Sequence, residues 1–382
     1  MAINEFTYSK IPAEAETLRV EVRQFLSQTL SDYPPVLRAQ SWMGFDAHFS
    51  QALGRKGWLG MALPKAYGGS QAGFFARYVI SEELLAAGAP VSAHWIADRQ
   101  SGPLINKFGT PAQKDRYLPA ICRGESYFCI GMSEPNSGSD LASIKSTATR
   151  DGDGWRLNGQ KVWTTNAHHS HYMIALLRTG EKQAARHEGM SQFIVDLSLP
   201  GITVRPIRDL AGGEHFNEVF FDNVYLPGDG LIGTEGKGWD QVTAELAFER
   251  SGPERFLSSM ALIKTMIDAI GSRPDALQAA EIGRLTARLA TLRNMSLAVT
   301  AQLADGANPA WAASCVKDLG NVFEQEIPEL AQRLLDIEPR QQGGGDHARV
   351  LAYLMQMAPS FSLRGGTREI LRGIIARGLG LR

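Results

Sequence analysis

The feature that most limits how this chain can fold is a change of period along it. Up to about residue 124, and again beyond Gly236, apolar residues recur at helical spacing. Leu18, Val22, Phe25, Leu26 and Leu30, for example, share one face. Between Glu125 and Leu226 the apolar residues instead fall into short runs at 171–177, 192–197, 202–207 and 218–226. Turn signals such as Asp151-Gly152-Asp153-Gly154 and Asn158-Gly159 cut them. Before the change, helices are expected at 12–31, 45–56, 74–87 and 94–108, with a glycine-punctuated packed loop at 57–69. Thr110 and Pro111 read as the N-cap and first residue of a further helix. After the change, helical segments are expected at 239–270, 276–304, 311–335, 348–357 and 367–377, with Gly343-Gly344-Gly345 as a connector. The resulting fold class is α+β: an N-terminal helical domain (1–124), a middle β-sheet domain (125–234) and a C-terminal four-helix-type bundle (235–382). A length of 382 residues with 44% hydrophobic composition suits two or three such domains.

Charge and cysteine usage remove some function classes. Lys+Arg 39 against Asp+Glu 40 gives a formal charge of −1, so the chain as a whole is no polyanion binder and no nucleic acid partner is expected. Cys122, Cys129 and Cys315 form no CxxC pair and no metal-ligand spacing. Neither a basic-then-apolar leader nor an apolar run of membrane-spanning length is visible, and the expected location is cytoplasmic, without a membrane partner.

The richest stretch runs from Gly131 to Asn166. It opens with Gly131-Met132-Ser133-Glu134-Pro135-Asn136-Ser137-Gly138-Ser139-Asp140 and closes with Asn158-Gly159-Gln160-Lys161-Val162-Trp163-Thr164-Thr165-Asn166. A small, bent, hydroxyl-rich loop lets N–H groups and serine hydroxyls converge on a phosphate or a polar ring edge. The second piece offers an indole and two hydroxyls to a flat aromatic ligand. On these residues alone, a site for a planar, phosphate-bearing cofactor stands beside a simpler reading, a turn and β-hairpin with a core Trp.

Together the two pieces resemble the signatures of the acyl-CoA dehydrogenase family: a Thr/Ser-Glu-Pro-x-x-Gly-Ser-Asp loop followed by an Asn-Gly-x-Lys-x-Trp-x-Thr-Asn strand. The resemblance runs from about residue 12 to the end and includes the Gly109-Thr110-Pro111 and Leu118-Pro119…Gly124-Glu125 patterns. It implies FAD as cofactor, an acyl-CoA substrate, α,β-dehydrogenation to the 2-enoyl-CoA, and an electron-transferring flavoprotein as electron acceptor. By the same resemblance, Met132 and Ser133 face the flavin pyrimidine edge and Ser139 the pyrophosphate or the substrate. Trp163 and Thr165 lie near N5, and Thr367 and Glu369 near the FAD adenosine portion. Thr367 and Glu369 also read as a helix N-cap with an acid in the first turn.

The common family base, a Glu in a Tyr-Glu-Gly-Thr turn, is missing. The matching stretch is Arg364-Gly365-Gly366-Thr367, with Gly365 in that place. A minority of the family uses a Glu followed by Arg in the first long C-terminal helix, here Glu249-Arg250. Glu249 is therefore the candidate base that takes the α-hydrogen as a proton while the β-hydrogen leaves as hydride. Pro253, four residues on, cannot donate to the Glu249 carbonyl and is expected to kink the helix just beyond it. Arg250 is expected to be structural or near the CoA moiety. Trp95, Ile96, Leu246 and Met132 are candidate acyl-pocket residues. Arg364, Arg368 and Arg372 form a basic stripe, read as a solvated face or a phosphate contact. His168, His169 and His171 cluster without a second ligand group, so no metal is expected. An Arg-x-x-Phe-Gly motif that many members carry after the first bundle helix is absent at 271–275. That absence leaves cross-subunit FAD contacts and FAD affinity open and supports one alternative, a non-catalytic or partner-dependent subunit; a separate alternative is an oxidase or monooxygenase on the same fold. A homotetramer or a heteromeric assembly is expected, because helix faces near 285–303 are broadly apolar.

Overall fold

A computed structural model of the protein describes residues 6–180 and 186–381, apart from the side chains of 244–249. The chain starts with α1 (Ala13–Glu16), α2 (Leu18–Thr29), α3 (Pro35–Arg38), α4 (Ala47–Arg55), α5 (Gly73–Ala86), α6 (Ser92–Ile96), α7 (Gly102–Phe108) and α8 (Pro111–Cys122). Strands follow: β1 (Phe128–Gly131), β2 (Thr147–Asp151), β3 (Gly154–Thr165), β4 (Tyr172–Arg178), β5 (Met190–Asp196), β6 (Ile202–Ile207) and β7 (Phe216–Leu226). The chain ends with α9 (Gly238–Glu249), α10 (Met260–Ile270), α11 (Ala276–Ala304), α12 (Ala310–Leu334), α13 (Gly345–Met357) and α14 (Arg368–Gly378). This is an α+β fold with a helical N-terminal region, a middle sheet and a helical C-terminal region. Among the described residues no helix is long and apolar enough to cross a membrane.

Two compact units emerge, one of residues 1–44, 72–91 and 247–382, the other of residues 45–71 and 92–246. In the first, α11 and α12 pack on each other, α12 on α14, and α10 on α13. Buried Glu82 and Glu83 of α5 are neutralised by arginines from two other helices. Arg23 Nε of α2 lies 2.7 Å from Glu83 and Arg293 Nε of α11 lies 2.6 Å from Glu82. Such pairs define which helices meet, because a lone buried carboxylate would be costly. The run expected at 239–270 is two helices rather than one kinked helix. Gly252, held extended (φ −74°, ψ 171°) ahead of Pro253, ends the path, and a 3₁₀ turn at Pro253–Arg255 leads to α10.

In the second unit the strand order is β1-β4-β2-β3-β7-β6, with β5 on β4. β1 and β2 run parallel to β4, and the other pairs are antiparallel. β4 is buried on both faces. Met173, Ala175 and Leu177 join a core with Trp155, Phe193 and Phe221, while Ile174 joins Leu104, Leu118 and Ile121 of α7 and α8. Double burial is why this strand is a continuous apolar run rather than an alternating one. Thr110 and Gln113 form a full capping box on α8, and Gln113 Nε2 also donates to Asp229 O and Leu231 O.

Two helical glycines should answer oppositely to alanine. A Cβ at Gly320 in α12 would stand 2.1 Å from the Arg255 carbonyl oxygen, whereas at Gly283 in α11 it meets nothing within 4 Å. Gly283→Ala should stabilise the protein by about 1 kcal/mol through helix propensity. Gly320→Ala should destabilise it by about 1–3 kcal/mol through overpacking. Denaturant titration of both variants checks the sign.

Candidate flavin-binding site

The two motif pieces form one assembly in the second unit, and the join is a buried ion pair. Lys161, on β3, has no solvent exposure, and its Nζ donates to Glu134 Oε1 (2.8 Å) and to Met132 O (3.1 Å). Glu134 also accepts from Lys145 N (2.7 Å) and Ser146 N (3.0 Å). Burial pushes the Glu134 carboxyl up, but Lys161 and these N–H donors together hold it below the ordinary carboxylate value. Burial pulls Lys161 down to about 8 against the opposing pull of Glu134, which leaves it protonated at neutral pH.

Main-chain bonds complete the seam. Val162 N donates to Ser133 O (2.9 Å), and Glu134 and Ser137 exchange both of their main-chain bonds around the Pro135-Asn136 turn. The Ser137 and Ser143 hydroxyls donate to Asp140 O. The loop after β1 is thus laid along β3, and Ser133 lies beside the Val162-Trp163 step.

A bulge then aims the indole. β3 pairs with β7 at Lys161↔Val219 and next at Thr164↔Asn217, so two residues of β3 face one of β7. Lys161 and Thr164 both point inward, and Trp163 is pushed out. It takes φ +59°, is 59% exposed, and meets Phe216 edge-on at 6.1 Å. A bulky residue at positive φ is strained, and such strain collects at functional sites. Asn166, also at positive φ, closes the strand by donating N–H to His215 O (2.7 Å) and its side-chain amide to Ser92.

The outward surface consists of the exposed Trp163 face, half-buried Met132, Ser133 and Thr165, and exposed Ser139. Among the described residues, the Ser133, Ser139 and Thr165 hydroxyls and the indole N–H take no part in the bonds that hold loop and strand together. An exposed aromatic face held under strain, with uncommitted hydroxyls on the same loop and strand, fits a flat aromatic group with a polar edge, as an isoalloxazine is. The residue types forecast Trp163 and Ser133. Lys161 and Glu134 escaped notice as functional, although both stand inside the motifs, because nothing local reveals that a lysine will be buried.

Trp95 and Ile96 are half-buried at the end of α6, just before a π-helical turn (Ala97–Ser101), and the Arg99 guanidinium lies 4.5 Å from the Trp95 ring centre. His169 stacks on Phe45 (4.4 Å) and no metal-ligand group occurs among the described residues. In the other unit, Arg250 is buried and donates to Gly365 O (3.1 Å). Thr367 stands at the N-cap of α14. Glu369 lies in its first turn, where its own N–H and the Thr367 hydroxyl hold its carboxylate below the ordinary value. The side chains of Leu246 and Glu249 lie outside the described residues.

Comparison with known proteins agrees with these features. A family model of the acyl-CoA dehydrogenase N-terminal domain matches residues 12–125, and one of the middle domain matches 129–224. Acyl-CoA dehydrogenase IpdE1 of Mycolicibacterium smegmatis is 31% identical over 96% of this chain and 98% of its own length. IpdE1 of Mycobacterium tuberculosis is 38% identical over 62% of this chain. Matches to three of the Mycobacterium tuberculosis relatives span 63%, 45% and 61% of those proteins. The solved structure described as the Tcur3481-Tcur3483 steroid ACAD has a TM-score of 0.86 at 28% identity, covering 98% of this chain and 99% of that one.

Removing the cation should expose how much rests on the ion pair. Lys161→Met leaves Glu134 charged and buried, at a cost of about 3–5 kcal/mol, and the double change with Glu134→Gln should recover part of it. For a carboxylate held below its ordinary value, the stability is present above that value and lost as pH falls through the lowered one. Wild type should therefore loosen as the pH falls below the ordinary carboxylate range. Urea titrations over a pH series, with a smaller acid-side loss in the double variant than in wild type, check both.

Proposed function

The chain belongs to the acyl-CoA dehydrogenase family, and on that premise we propose that it catalyses FAD-dependent α,β-dehydrogenation of an acyl-CoA thioester, passing electrons to an electron-transferring flavoprotein. The observation that carries the reading is the seam of Lys161, Glu134 and the Met132 and Ser133 carbonyls, which brings both motifs to one surface with the indole exposed. Bound FAD supplies a two-electron acceptor for hydride. The chain's own residues do the rest. The N–H of Met132 and the hydroxyl of Ser133 would hold the flavin's pyrimidine edge, and Trp163 and Thr165 would hold the ring. Ser139 serves the phosphates or the thioester, and Thr367 and Glu369 the adenosine end. Donors aimed at the edge where negative charge grows favour the reduced ring.

Glu249, at the end of α9, is the proposed base, with the family's more common position occupied by Gly365. Trp95 belongs to the proposed substrate side, whereas Arg250, whose Nε is committed to the Gly365 carbonyl, takes the structural one of its two expected roles. The proposed segments are 1–124, 125–234 and 235–382. The proposed assembly is a homotetramer or a heteromer, for which Leu319, Leu363 and Ile267, all over 40% exposed, offer apolar surface.

Titration with FAD should quench Trp163 and flavin fluorescence at one FAD per chain. Anaerobic mixing of the loaded protein with acyl-CoAs should bleach the flavin. The panel should include a steroid-derived thioester, because a structural relative is described as a steroid ACAD. Glu249→Gln should keep FAD and thioester binding while slowing bleaching by about 10²–10⁴-fold. A wild-type rate in that variant would remove Glu249 from the role. Moving the carboxylate, by Glu249→Gly with Gly365→Glu, should restore part of the activity while costing about 1–2 kcal/mol of stability, since φ at Gly365 is +67°.

A further inference from the structure

The segment Arg364–Gly366, just before α14, is held by buried charge at three successive residues. The Arg364 guanidinium donates to Glu324 Oε2 and Ser258 Oγ (both 2.8 Å) and lies against the Trp42 and Phe361 rings. The Gly365 carbonyl accepts from Arg250 Nε (3.1 Å), and the Gly366 carbonyl accepts from Lys317 Nζ (2.9 Å). Arg250 is 6% exposed; Lys317 and Glu324 are wholly buried on α12. Both glycines have positive φ, +67° and +101°, which turns consecutive carbonyls toward the two cations, and a Cβ at Gly366 would come within 3.4 Å of the Arg250 guanidinium.

Arg250 follows directly on the last residue of α9. That helix stops at Glu249, and a helix end leaves its last carbonyls without N–H donors from a further turn. The chain leaving α9 is held by tertiary bonds, from Arg250 Nε to the Gly365 carbonyl and from the Ser296 hydroxyl to the Ser251 carbonyl.

We propose that Arg250 is a positioning residue: its bond to the Gly365 carbonyl, with Lys317 gripping Gly366, ties the end of α9 to the loop before α14 and so holds Glu249 in place for proton abstraction. The proposal rests on the reading of Glu249 as the base. Arg250 then contributes orientation, not substrate affinity, and its planar, multi-donor fork matters more than its charge.

The test uses full-length, FAD-loaded protein and the variants Arg250→Lys, Arg250→Ala and Gly366→Ala, the last acting from the loop side should an arginine replacement fail to fold. Hydrogen exchange should rise in peptides covering 363–371 in all three, with peptides of the 128–178 strands unchanged. With an acyl-CoA that reduces the wild-type flavin, the limiting reduction rate should fall by about 10–100-fold, the scale of a small misplacement of a catalytic group. The acyl-CoA Kd should stay within about two-fold, and Arg250→Lys should keep more rate than Arg250→Ala. Weaker acyl-CoA binding at an unchanged limiting rate would make Arg250 a substrate contact and overturn the proposal, as would unaltered exchange at 363–371. Failure of the base assignment shows separately, as a wild-type rate in Glu249→Gln, because the exchange measurement needs no turnover.

Discussion

A lysine with no solvent contact is the interaction on which the candidate site depends. Taking an ammonium out of water is expensive unless its donors are all met, and Lys161 meets its partners in Glu134 and the Met132 carbonyl. The same pair sets the loop's path. With Glu134 anchored by Lys161, Lys145 N and Ser146 N, the residues on either side have one way to run, and the Ser133 carbonyl falls opposite Val162 N. A salt bridge so fully enclosed adds little net stability compared with apolar packing, so what it contributes here is register between loop and strand.

The bulge after Lys161 turns that register into a binding surface. Without the extra residue, strict alternation would place Lys161 and Trp163 on the same face, and the indole would enter the core with the ammonium. The inserted residue keeps Lys161 and Thr164 inside and sends Trp163 outward at positive φ. The strain is held by the well-packed sheet around it, where Trp155, Phe193 and Phe221 fill the inner face.

The helical unit solves a related problem with other residues. Ser314, Lys317, Asn321 and Glu324 form a stripe along α12 in which every side chain is at most 1% exposed. In a bundle such positions are normally apolar. Here the charged members reach the backbone and side chain of the loop at Arg364–Gly366. The core of the bundle therefore carries loop geometry as well as helix packing, with glycine at both positions of this loop whose carbonyls turn toward a cation.

Local chemistry determined much of this protein directly. The Thr110-Pro111 start of α8, the limits of α11 and β6, the break at Pro253 and the turn at Gly152 follow from side chains acting on their own backbone, so they were legible residue by residue; the turn expected at Asn158-Gly159 is instead a register shift inside β3, which pairing with β7 carries straight through. The family signatures were legible for the same reason, as contiguous strings. Tertiary structure alone decided the strand order, the burial of Lys161, the outward turn of Trp163 and the meeting of Arg250 with Gly365, 115 residues apart. Each of these depends on what a distant segment places opposite the residue. A lysine in sequence looks the same whether water or a carboxylate will surround it, and desolvation, which makes the difference, exists only once the chain has closed around it.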